Sequence, residues 1–152
     1  MKIKALILVL SILTFNCNSD NTTTNSEEEV ASTLISKDNL YGNGDEGIAE
    51  QNMVIQNQTD WNNLLTQIDA VNNTSHTFTE TDIDFSEYTI IAVFDQIRGN
   101  GGHSIDLNIT SNQEVITVTV THINPAGNAT TVITQPYHIV KIDKSNLPIY
   151  FE

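Results

Sequence analysis

The sequence predicts a mainly β domain with one short helix. Three observations carry this. Residues 104–109 and 116–121 alternate strictly between apolar and polar side chains, the period of half-buried strands. Residues 88–94 are apolar at both parities, as in a strand covered on both faces. Trp61, Leu64, Leu65 and Ile68 fall at i, i+3, i+4 and i+7, the stripe of an amphipathic helix. About six or seven mostly antiparallel strands are expected, forming a sandwich or a partly open barrel, with the helix packed on it.

The elements follow in order. Residues 1–16 have the layout of a signal peptide: Lys2 and Lys4, then an apolar run over 5–15. That run is too short to span a bilayer as a helix, which needs about 20 residues. Cys17, the one cysteine of 152 residues, follows it. Its position fits lipoprotein processing, with the cysteine acylated as the new N-terminus and the membrane reached through that anchor. Thr14, Phe15 and Asn16 make an imperfect processing box, since small residues are usual at the last two of these positions. Residues 17–29 then read as the lipidated N-terminus and a polar tether that cannot bury apolar surface. Glu27, Glu28 and Glu29 fit either a solvated spacer or a surface-export signal. The expected location is a bacterial cell envelope, at the outer membrane or cell surface.

A single domain is expected over 30–152, with a first strand within 30–40. Residues 41–47 hold three glycines and read as a loop. Its acids invite comparison with a calcium loop, but the spacing of an EF-hand is absent. Residues 52–55 read as a strand. Thr59 or Asp60 reads as the cap of the helix. Residues 72–84 read as a loop, 88–94 as a central strand, and 99–102 as a tight turn or bulge. After the 104–121 hairpin, 124–128 reads as a turn. Residues 130–134 and 137–142 read as the last strands, parted by Gln135 and Pro136. A proline cannot donate to a ladder, so Pro136 belongs at a strand start or an edge. Short links make these last four strands antiparallel neighbours. Residues 144–152 read as a tail.

Charge excludes one class of partner. Lys and Arg total 6 against 19 Asp and Glu, a net charge of −13. Beyond Cys17, 19 acids face 4 bases, leaving −15. Phosphate binding needs a cationic face, so nucleic acid is not an expected partner.

No catalytic set assembles from the sequence, and a non-enzymatic role with no cofactor is expected. No serine lies in a nucleophile elbow, Asp82 and Asp84 sit in a loop where solvated acids are the rule, and 99–102 lacks the Walker lysine. His103 and His122 share faces with inward residues at strand ends. With His138 they are the only basis for a metal or small-ligand site, and no HxH or HxxxH spacing supports one.

Residues 84–142 resemble the C-terminal domain of PrcB, a lipoprotein subunit of a spirochaete surface protease complex. The matching residues are Asp84-Phe85-Ser86 leading into 90–94, then Gly101-Gly102-His103-Ser104-Ile105, Pro125 in a loop, and the run from Thr134 through Gln135-Pro136-Tyr137-His138 to Ile142. Such domains usually read Thr-Gly-Gly-Tyr where this chain has Asn100-Gly101-Gly102-His103. The resemblance implies an accessory or protein-interaction module with a protein partner, and a protease as the partner it points to.

The expected contact surface is Gly99, Asn100, Gly101, Gly102 and His103, the loop of Asn124 and Pro125, and an edge near Pro136 and Tyr137. An edge strand there would offer backbone for β-augmentation. Two alternatives remain open: a chagasin-like peptidase inhibitor, of whose motif Asn124-Pro125 is a fragment, and an envelope protein binding a metal or small ligand.

Overall fold

The structure is a computed structural model, and it describes residues 26–152. The signal peptide, Cys17 and most of the tether lie outside the described residues. Among the described residues eight strands form two four-stranded sheets, a sandwich-like arrangement and not a closed barrel.

The first sheet has the order β2-β7-β4-β3, antiparallel throughout. Its strands are β2 (Ser32–Leu40), β3 (Gln51–Ile55), β4 (Tyr88–Phe94) and β7 (Gln135–Asp143). The second has the order β1-β5-β6-β8. It comprises β1 (Glu28–Glu29), β5 (Ser104–Ser111), β6 (Ile116–Ile123) and β8 (Ile149–Phe151). β5 and β6 form the expected hairpin, with Ile105 opposite His122 and Ile109 opposite Val118. β8 runs parallel to β6.

Two cores explain the apolar pattern. Ile91, Val93, Val140 and Ile142 of the first sheet meet Ile105, Ile109, Ile116 and Val118 of the second. Ile90, Ala92, Phe94, Tyr137 and Ile139 point the other way, toward Trp61, Leu64 and Ile68 of helix α1 (Gln58–Ile68). Alternate residues of β4 and β7 thus feed opposite cores, which is why these strands are apolar at both parities. Trp61 is fully buried, and its Nε1 donates to the Thr81 carbonyl at 2.8 Å. Among the described residues no helix is long and apolar enough to cross a membrane.

Six expectations are corrected. The helix cap is Asn57, neither Thr59 nor Asp60: its Oδ1 accepts from the Asp60 N–H at 3.0 Å. Its Nδ2 also donates to the Asp60 carboxylate at 2.7 Å, so cap and third helical residue satisfy each other. Residues 130–134 form no strand. They carry the chain from one sheet to the other and bridge only at Thr134, opposite Arg98. The last four predicted strands are therefore not four neighbours. Pro136 does begin a strand, but β7 lies between β2 and β4 and is no edge. Residues 144–152 are not a tail, because Ile149 and Phe151 pack on the inter-sheet core as β8. The polar segment also contributes structure earlier than expected, with Glu28 and Glu29 paired to Ser111 and Thr110.

Candidate functional site

One end of the sandwich gathers the loops 41–50, 95–103 and 124–134. The chain turns there because Asp95 follows β4 directly. Asp95 is buried and accepts from Arg98 through both oxygens, from Nε at 2.8 Å and from Nη2 at 2.9 Å. The Gln96 N–H adds a third bond at 2.8 Å, and His122 Nδ1 lies 3.4 Å from the same carboxylate. The Asp95 carbonyl accepts from Gln135 Nε2 at 2.9 Å, and Gln135 also donates to the Ile48 carbonyl at 2.9 Å. Arg98 is the chain's only arginine, and its backbone exchanges bonds of 2.7 and 3.0 Å with Thr134. This node fixes all three loops to the sheet. Sequence reasoning missed Asp95 and Arg98. The available signal was an acid directly after a buried strand with a base three residues on.

The two loops singled out from sequence do meet. The Gly101 N–H donates to the Thr130 carbonyl at 3.0 Å, and a Cβ on Gly101 would lie 2.5 Å from Thr130 Oγ1. Gly102 has φ +87° and faces Pro125, whose Cβ would be 2.9 Å from an added Cβ. Any larger residue at either position would push the loops apart. Gly99 and Asn124 are exposed, while Asn100, His103 and Pro125 are half-buried. His103 Nε2 is 3.3 Å from Asn100 Oδ1.

Pro136 and Tyr137 are placed differently. Both are buried within β7, so a partner meets neither side chain at this surface. The Tyr137 hydroxyl shares a bond of 2.9 Å with Ser36, and its ring stacks on Phe94 with centroids 5.9 Å apart. Burial holds its hydroxyl above the usual tyrosine range. Tyr137 is a core residue tying β7 to β2.

The histidines are dispersed in role. His138 Nδ1 donates to the Ile105 carbonyl at 2.9 Å and joins the sheets. Burial pushes its pKa below the usual histidine value. His122 faces Asp95, and His76 is exposed on a 3₁₀ turn, Thr74–Thr77. Among the described residues no three His, Cys, Asp or Glu side chains come together as a metal site.

Comparison with known proteins bears on this same region. Residues 89–143 match the family model described as PrcB C-terminal, which bears out the resemblance read from residues 84–142. The matched span begins in β4 and ends with β7. It contains the β5–β6 hairpin, the Asp95–Arg98 node, and the loops 95–103 and 124–134. No curated protein and no solved structure gives a significant match.

Proposed function

We propose that this chain is an exported, lipid-anchored accessory protein. Its globular part is a protein-interaction module, and a secreted protease is the partner class. It is not itself an enzyme. The observation that carries this reading is the PrcB C-terminal match over 89–143. Lys2 and Lys4, the apolar run over 5–15 and Cys17 support export and acylation at Cys17. The contact surface of this reading is the loop end, with Gly99, Asn100, His103, Asn124 and Pro125 set on a rigid sheet, the usual arrangement of recognition loops.

Cross-linking in the native envelope, followed by mass spectrometry, tests the reading. A stoichiometric secreted protease supports it, and its loss on alanine substitution in 99–103 and 124–128 places the contact there. Recovery free of any protease would overturn it. Acylation is tested separately, since a Cys17→Ala chain should no longer incorporate labelled palmitate.

A further inference from the structure

The two sheets do not cover each other along the side where β3 and β8 lie. A groove of ≈ 450 Å³ opens there. Val120 and Phe151 supply its apolar side chains, and Glu50, Asn52, His122 and Glu152 stand around it. Asn52 and Val54 have the parity of their partners Val93 and Ile91, which face the second sheet. Yet Asn52 is exposed and Val54 is 39 % exposed. The second sheet stops short of β3.

The edges of the first sheet are treated differently. β2 has a register shift between Leu34 and Ser36. Thr79 caps that irregularity, its N–H donating to the Ile35 carbonyl at 3.0 Å and its Oγ1 to the Leu34 carbonyl at 2.9 Å. Bulges and covering loops are how natural edges avoid pairing with other chains, and edge lysines and prolines are another device. β3 has none of these. It reads Gln-Asn-Met-Val-Ile, its register with β4 is unbroken, and among the described residues its outer side has no backbone partner. Across the groove, β8 ends its ladder at Val118, and Glu152 takes the Val120 N–H at 2.8 Å. Thr121, His122 and Ile123 beyond it are exposed.

Charge selects the occupant. No lysine or arginine lines the groove, whose rim holds Glu50 and Glu152. The four cations of the described residues are all engaged elsewhere: Lys37 with Asp106, Arg98 with Asp95, Lys141 with Glu80, and Lys144 with the Phe85 carbonyl. Among the described residues no lysine or arginine is left to neutralise this rim, and the one histidine on the groove, His122, faces Asp95.

We propose that β3 is a β-augmentation site for an extended, lysine- or arginine-bearing polypeptide segment. The segment adds as a fifth strand outside β3. Its apolar side chains cover Val54 and reach Val120 and Phe151, and its basic side chains meet Glu50 and Glu152. Main-chain pairing supplies affinity and the alternating pockets supply selectivity. The proposal rests on the reading of the chain as a protein-interaction module, but uses a surface distinct from the 99–103 and 124–128 loops.

The test uses the full chain in detergent and two end-blocked peptides of about ten residues, long enough to span a strand of this size. One alternates lysine with valine and threonine, and the other has glutamate at the lysine positions. Binding is read by fluorescence anisotropy, and its place by hydrogen exchange. The lysine peptide should bind and slow exchange over 51–55, and the glutamate peptide should do neither. Glu50→Gln should weaken binding about threefold, and the double change with Glu152→Gln about tenfold, the scale of exposed ion pairs. Val54→Lys should abolish binding. Glu87→Gln, the same charge change at the opposite end of β4, should leave it unchanged. All four positions are exposed, and unchanged melting temperatures verify the fold.

The site is overturned by equal binding of both peptides, by protection elsewhere, by an equal loss in Glu87→Gln, or by no binding. Envelope cross-linking separates the two readings. If a protease is recovered while the lysine peptide fails, only the β3 site falls. If the peptide binds at β3 and no protease is recovered, the protease reading falls and the site stands.

Discussion

Asp95 illustrates how one buried charge organises a loop end. It is 1 % exposed and is held by the guanidinium of Arg98. Removing one partner of such a pair leaves an uncompensated charge, whereas removing both is far less costly. Arg98→Ala should therefore cost about 3 kcal/mol, and Asp95→Ala with Arg98→Ala should cost less than Arg98→Ala alone. Urea unfolding of the single and double variants checks this, and a single-variant loss below about 1 kcal/mol would remove the node from its organising role. His138 makes a second residue-scale prediction. Burial lowers its folded pKa beneath the unfolded value near 6.5. The unfolded chain then binds a proton more readily, so this contribution is complete above about pH 6.5 and declines as pH falls toward the folded pKa. His138→Asn keeps a donor for the Ile105 carbonyl and removes the titration. The stability of the parent should fall more steeply than that of the variant between about pH 7.5 and 5.5. Parallel curves would assign the acid response to other groups.

At the scale of elements, legibility followed how much of the neighbourhood a segment needs. β4 and the β5–β6 hairpin were readable because their patterns are local, with both parities apolar in one and strict alternation in the other. Helix α1 was readable from its stripe, yet its start was misread because Thr59 and Asp60 are also cap-forming residues. Asn57 prevails because the Asn-x-x-Asp spacing satisfies both partners. Asn57→Ala should accordingly cost about 1 kcal/mol in thermal or urea unfolding, and Thr59→Ala much less. Segment 130–134 looked like a strand because Val132 and Ile133 are apolar. Both are exposed, since a chain crossing between sheets has no ladder to join. β8 is three residues long, and its pairing depends on β6 being present beside it, which no local pattern shows. Of the site, the Gly101–Gly102 turn and the Pro125 loop were legible. The Asp95–Arg98 node and the groove were not, because they are made by residues brought together only by the sheet order.

The whole molecule has three layers, with the first sheet in the middle. Ile90 and Ile91 are adjacent in sequence and lie in different cores. β4 and β7 contribute to both cores, so the layers should unfold together. Trp61, the sole tryptophan, reports only the helix-side core. Its fluorescence transition should coincide with the loss of amide protection in β5 and β6 across urea titration. Separate midpoints would make the second sheet an independent unit.

The two-residue pairing of β1 has a mechanical consequence. A pull transmitted from upstream of residue 26 arrives first at Glu28 and Glu29, paired to Ser111 and Thr110 of β5, with one further bond from the Val30 N–H to the Ile109 carbonyl at 2.8 Å. Such a short ladder yields before the nine-residue β2, whose first residue lies opposite Ile142. β1 therefore acts as a breakaway link. Under load it releases a few residues of slack and absorbs work, while the sheet carrying β3 keeps its shape.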